Sequence, residues 1–179
     1  MSASDMLIRA AGRDDIAEIA AWFAHYVTDT VVTFEEVAPS TADWRRRLNE
    51  ITGRGLPFLV AEAGGKVIGF AFAGPWRTKP AYRHSVEDSV YLAPGWTGKG
   101  LGRSLLAALL AGCRTAGVRQ VIAVIAAGCE DGEGGENASV ALHRAFGFTH
   151  AGRLRGVGHK HGRWLDTILM QCDLTAAGG

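Results

Sequence analysis

The stretch SVYLAPGWTGKGLGRSLL sets Gly95, Gly98, Gly100 and Gly102 into one short loop between an apolar strand and an apolar helix. Backbone N–H groups at a helix N-terminus point outward, and the helix dipole favours an anion there. Glycines let a bulky diphosphate come close to the backbone, and Lys99 and Arg103 add positive charge beside it. Two common phosphate loops fail on spacing. A G-x-G-x-x-G needs a third glycine at 105, which is Leu105, and the Gly-Lys pair of this loop is followed by Gly100 where a P-loop needs Ser or Thr. A flexible turn stays open as the other reading of the same spacing.

Glu87 is the second candidate. It lies in SVEDSVYL, a strand otherwise made for burial, where a carboxylate is costly unless it is paired or useful. On the residues alone it reads as an outward-facing side chain of a half-exposed strand. Asp88 points to the opposite face by strand alternation and reads as structural. His143, in SVALHRAFGF, is a lone histidine and by itself reads as a satisfied surface or core residue. His159 and His161 flank Lys160 without a third ligand nearby, which makes a poor metal site. The glycine-rich acidic stretch at 128–136 lacks the ordered oxygen-ligand spacing of an EF-hand and reads as a solvated loop.

These residues need a frame. MLIRAAG reads as a first strand, followed by a helix from Asp14 to Val27, with Asp14 and Asp15 at its positive end. A second helix is capped by Ser40 or Thr41 and stopped near Gly53 and Gly55. Two apolar strands turn at Gly64-Gly65. The strand carrying Glu87, the glycine loop and a helix with Leu101, Leu105, Leu109 and Cys113 on one face come next. The chain then reads as the buried strand VRQVIAVIAAG, a short helix ended at Gly147, and two closing strands. The order predicts a mixed α+β fold with one βαβ-like crossover, in a single domain over 1–179 with a core of about 6–174 and a frayed tail.

Hydrophobic residues at 47%, charged residues at 21% and a net charge of +1 fit a soluble globular chain with no attraction to nucleic acid or anionic membrane. No apolar run approaches the ~20 residues of a membrane helix, and the opening residues lack a signal-peptide pattern. Cys113, Cys129 and Cys172 have no CxxC spacing, which favours a reduced, cytoplasmic setting, with Cys129 the one in a loop.

VYLAPGWTGKGLGRSLL resembles the acetyl-CoA-binding segment of the GNAT superfamily of N-acetyltransferases, whose core is Q/R-x-x-G-x-G/A at the start of a long helix. Here the core is Thr97 to Gly102, and Thr97 departs from the usual Gln or Arg. FAGPWR, AYRHSVEDSVYL, SVALHRAFGF and GHKHGRWLD, in this order, resemble the phosphinothricin and methionine sulfoximine/sulfone acetyltransferase branch. The resemblance implies a mostly antiparallel twisted sheet of six to seven strands flanked by about four helices. It implies acetyl-CoA as co-substrate, no metal, a homodimer and a place in herbicide resistance. It makes Glu87 the general base and gives His143 a place beside the cofactor thiol. The backbone of Val90, Tyr91 and Leu92 would pair with the pantetheine arm, while Gly98, Lys99, Gly100, Leu101, Gly102 and Arg103 hold the diphosphate. Asn137 would contact the CoA arm, although its spacing to Ser139 is one residue short and the acidic stretch before it looks inserted. On the substrate side stand Phe34, Arg77, Pro80, Ala81, Tyr82 and Glu87. Phe34 and Tyr82 read equally as core packing.

Three functions follow. The first is acetylation of the α-amino group of a small amino-acid analogue by direct attack, since no cysteine falls in a catalytic motif. The second is acetylation of a protein N-terminus or a polyamine; neither carries a free carboxylate for the Arg77 fork. The third is a non-catalytic acyl-CoA-binding sensor, which predicts loss of the catalytic carboxylate, whereas Glu87 is present.

Overall fold

The computed structural model describes residues 6–128 and 137–175. Its seven strands are β1 (Met6–Ala10), β2 (Phe58–Ala63), β3 (Lys66–Pro75), β4 (Ser85–Leu92), β5 (Gln120–Gly128), β6 (Thr149–Lys160) and β7 (Arg163–Asp173). The four helices are α1 (Ile16–Asp29), α2 (Thr41–Gly53), α3 (Leu101–Thr115) and α4 (Ala138–Arg144). The strands form one sheet in the order β1-β2-β3-β4-β5-β7-β6. Two-residue turns join the antiparallel pairs β2–β3 and β6–β7, the first with Gly64 at φ 57° and Gly65 at φ 73°, and longer connections bring β1–β2, β3–β4 and β5–β7 together antiparallel as well. α3 carries the chain over the sheet from β4 to β5, so that pair alone is parallel.

The β4–β5 pairing is short. It runs from Ser85 opposite Gln120 to Asp88 opposite Ala123 and stops. Beyond it β4 continues along β3 as far as Leu92, while β5 continues along β7 as far as Gly128. The two halves of the sheet therefore part after Asp88 and leave a wedge between β4 and β5.

Alternating side chains give the sheet two buried faces. Phe58, Val60 and Phe70 meet Ile19, Phe23 and Val27 of α1 and Trp44 and Leu48 of α2. On the other face Ala61, Ala71, Val121 and Met170 meet Leu101, Leu105, Leu106, Leu109 and Cys113 of α3. The helical face expected of α3 is the one buried. α2 starts where expected, with Ser40 Oγ accepting from the Asp43 N–H at 3.1 Å and the Asp43 carboxylate accepting from the Ser40 N–H at 2.9 Å. α1 starts at Ile16, two residues later than the sequence suggests. Asp15 faces back instead, accepting two hydrogen bonds from Arg9 at 2.8 Å and one from the Gly12 N–H at 2.7 Å, across a 3-10 turn.

Candidate active site

The wedge opens into a cavity of about 650 Å³ between β4, β5, the glycine loop and α4. Gly98 (φ 74°) and Gly100 (φ 80°) are left-handed, and a Cβ on either would touch nothing within 4 Å. Glycine is needed there for backbone conformation, and the space above it is open to a ligand. Gly102 is different: a Cβ there would sit 3.4 Å from Leu142, so it lets α3 and α4 approach. Thr97 and Arg103 border the cavity. Lys99 lies over the Trp96 ring at 4.8 Å and Arg103 over Phe146 at 5.4 Å. The Leu101 side chain is fully buried in the core, which leaves its backbone alone for the loop. Val90, Tyr91 and Leu92 border the same cavity on the stretch of β4 that has lost β5, and the Leu92 carbonyl accepts from Tyr26 Oη at 2.6 Å.

A second cavity of about 570 Å³ lies on the α1–α2 side of the sheet, and Phe34, Glu35, Trp44, Arg47 and Phe72 are among its walls. Glu87, Ser89, Tyr91, Val32, Val124 and Ala126 border both cavities, and among the described residues Glu87 is the one carboxylate they share. Burial pushes the Glu87 carboxyl above its ordinary value, the Asp88 charge pushes it further, and Arg77 pulls the other way.

Asp88 does point away from Glu87, but it has a partner that sequence reading missed. Its Oδ2 lies 2.8 Å from His143 Nε2, with both residues buried and Oδ1 lacking a hydrogen-bond partner. His143 Nδ1 lies 2.7 Å from the Ser139 carbonyl. A carbonyl only accepts, so Nδ1 carries a proton, and the contact between Nε2 and Asp88 must hold a second one. Burial alone would lower the His143 pKa; the Asp88 hydrogen bond and charge outweigh it and raise it. Both ring nitrogens are therefore engaged.

Asn137 borders the first cavity, but its side chain is occupied in capping α4 and bridging to β5. It accepts from the Ser139 N–H at 2.8 Å and donates to the Ala126 carbonyl at 3.1 Å. Phe34 is brought to the second cavity. Arg77, Pro80, Ala81 and Tyr82 are exposed and border neither cavity; Arg77 stacks on Trp76 at 4.7 Å. The guanidinium that does border the second cavity is Arg47, 4.8 Å from the Trp44 ring and 3.4 Å from Glu35. Its signal was present in the sequence: three residues after Trp44 it shares that helical face. Cys113 and Cys172 are buried free thiols, and burial pushes Cys113 up to about 12. Cys129 and most of the acidic stretch, 129–136, lie outside the described residues. Among the described residues no three His, Cys, Asp or Glu side chains group as a metal site, and no helix is long and apolar enough to cross a membrane.

Residues 8–169 match the acetyltransferase (GNAT) domain family. The chain is 45% identical to a phosphinothricin N-acetyltransferase of Alcaligenes faecalis, over 94% of this chain and 83% of the relative. It is 39% identical to the L-methionine sulfoximine/L-methionine sulfone acetyltransferase of Pseudomonas aeruginosa, over 97% and 96%. Its structure is similar to the phosphinothricin acetyltransferase of Sinorhizobium meliloti in complex with AcCoA, with a TM-score of 0.87 and 43% identity over 97% of this chain and 92% of that one. It is also similar to a ribosomal-protein-alanine N-acetyltransferase of Brucella melitensis, with a TM-score of 0.85 and 40% identity over 93% and 99%.

Proposed function

This chain belongs to the GNAT acetyltransferase family and is an N-acetyltransferase using acetyl-CoA; we propose that its acceptor is the α-amino group of a small amino-acid analogue such as phosphinothricin, methionine sulfoximine or methionine sulfone. The observation that carries the reading is the meeting of two cavities at Glu87, one floored by the glycine loop and the other walled by aromatic rings and Arg47.

Glu87 takes the proton from the acceptor ammonium, whose ordinary pKa near 8 keeps it protonated and unreactive at neutral pH. A carboxylate lifted above its usual range is better matched to that task than a solvated one. The N–H groups of the loop from Gly98 to Gly102, with Lys99 and Arg103, hold the diphosphate. The freed edge of β4 at Val90, Tyr91 and Leu92 takes the pantetheine arm and polarises the carbonyl under attack. Arg47 supplies a fork for the acceptor carboxylate, and Phe34 walls the pocket. The Asp88–His143 pair keeps a proton at the cofactor end, from which the leaving thiolate is neutralised. Transfer is direct: the described cysteines are buried, and no acyl-enzyme is needed.

Exposed apolar side chains at Val37, Leu154, Val157 and Trp164, on the segment after α1 and on β6 and β7, support a homodimer. The similarity to the Brucella enzyme favours N-terminal peptide acetylation as a second reading. Release of CoA thiol with phosphinothricin, methionine sulfoximine, methionine sulfone, a polyamine and an alanine-initiated peptide decides between them. Fast turnover of the carboxylate-bearing small amines is expected. Turnover of the peptide alone would replace the acceptor reading, and acetyl-CoA binding without any turnover would favour a sensor.

A further inference from the structure

The wall that Phe34 contributes belongs to residues 30–40, which join α1 to α2 without regular structure and border the acceptor cavity through Val32, Thr33, Phe34 and Glu35. Such a segment needs seating, and the structure places its seat on β6. Gly158 shows no left-handed backbone, unlike its neighbours Gly156 (φ 58°) and Gly162 (φ 71°), so conformation is not what requires glycine there. Space is: a Cβ at 158 would lie 2.3 Å from Phe34 Cε2 and 2.7 Å from Cζ. Two residues on, and so on the same face of the strand, Lys160 is only 4% exposed. Its ammonium donates to the Thr33 carbonyl at 2.8 Å. Burial lowers the Lys160 pKa against the pull of Glu36 and Glu35, and an ammonium held so deep is costly without its partner. Thr33 is tied forward as well, its Oγ1 accepting from the Glu35 N–H at 3.3 Å, and it borders the acceptor cavity together with Tyr91.

We propose that Gly158 and Lys160 are positioning residues that determine acceptor specificity, by seating Phe34 and Thr33 and so fixing the wall of the acceptor cavity. This rests on reading that cavity as the acceptor site. Gly158 keeps the Phe34 ring flat against β6. With any side chain at 158 the ring, already 39% exposed, must swing off the strand. Lys160 fixes the backbone one residue earlier. Thr33 and Phe34, the two residues they hold, border the acceptor cavity and not the cofactor cavity, so acetyl-CoA binding is left alone.

The test uses Gly158→Ala and Lys160→Met, each alone and with Phe34→Ala, and two readouts. Steady-state kinetics with methionine sulfone is expected to show the KM for the amine raised about tenfold by Gly158→Ala, about 1.4 kcal/mol of affinity. The KM for acetyl-CoA stays within about twofold. In the Phe34→Ala background Gly158→Ala adds nothing, because its effect runs through that ring. Amide hydrogen exchange, which needs no substrate, is expected to speed up about tenfold across residues 30–40 in Lys160→Met and to stay unchanged in α3. Equal changes in both KM values, additive effects of Gly158→Ala and Phe34→Ala, or unchanged exchange in residues 30–40 would overturn the proposal. A wild-type protein that acetylates no small amine would sink the acceptor reading instead, while the exchange result would still decide whether β6 seats the segment.

Discussion

Glu87 and Asp88 are neighbours that the pleat of β4 sends to opposite faces, where each meets different surroundings. Glu87 stands where the two cavities join, and burial lifts its carboxyl. Asp88 is sunk beneath the wedge and held by His143. Because the folded pKa of His143 is raised, the pair's stabilisation is fully present below the unfolded histidine value of about 6.5 and is lost as pH rises through the folded value. Asp88→Asn strands a buried ring without its carboxylate, a loss of about 3–5 kcal/mol by the usual cost of breaking such a pair. Thermal unfolding at pH 5.5 and 8.5 is expected to show the deficit against wild type larger at the lower pH; equal deficits would contradict the assignment. The strand pattern showed that Asp88 faces away from Glu87, but its partner is 55 residues distant and no local pattern points to it. The exposed position of Arg77 was equally hidden, since the course of the segment after β3 depends on packing rather than on periodicity.

At the scale of elements, the site is made by where two strands stop pairing. β4 and β5 share four paired positions, from Ser85 to Asp88, and their parting both frees the β4 edge and opens the cavity. The glycine loop then sets α3 with its N-terminus toward that opening, which requires the left-handed Gly100 immediately before Leu101. Gly100→Ala forces a side chain into that conformation at a cost of roughly 1–2 kcal/mol. The expected result is a raised KM for acetyl-CoA with the KM for the amine unchanged, read from initial rates with each substrate varied in turn. Most of these elements were legible in the sequence, because Ser40, Gly64-Gly65, the α3 leucines and Gly147 act on their immediate neighbours. The start of α1 was not, because Asp15 answers to Arg9 on β1 and not to its own helix. The wedge was not either, since it depends on where a pairing across the α3 crossover ends.

Over the whole molecule, the two faces of the sheet have separate duties. The face covered by α1 and α2 is rich in aromatic rings, and Phe23, Trp44, Phe70 and Tyr91 pack edge to face or tilted with centroids 4.9 to 6.0 Å apart. That layer backs the cavity proposed for the acceptor, with Phe23, Trp44 and Tyr91 in its lining. The face covered by α3 is mainly aliphatic and anchors the glycine loop through the buried Leu101. Among the described residues, Glu87 is the one carboxylate that both cavities reach. The most direct measurement is the pH dependence of acetyl transfer by wild type and Glu87→Gln with methionine sulfone as acceptor. The account predicts that wild-type kcat/KM falls on the acid side with an apparent pKa above that of an ordinary carboxylate. It also predicts that Glu87→Gln loses about 10²–10⁴ in kcat at neutral pH, recovers in part at high pH where the amine is already neutral, and keeps its KM for acetyl-CoA. A Glu87→Gln protein with wild-type kcat at neutral pH would contradict it.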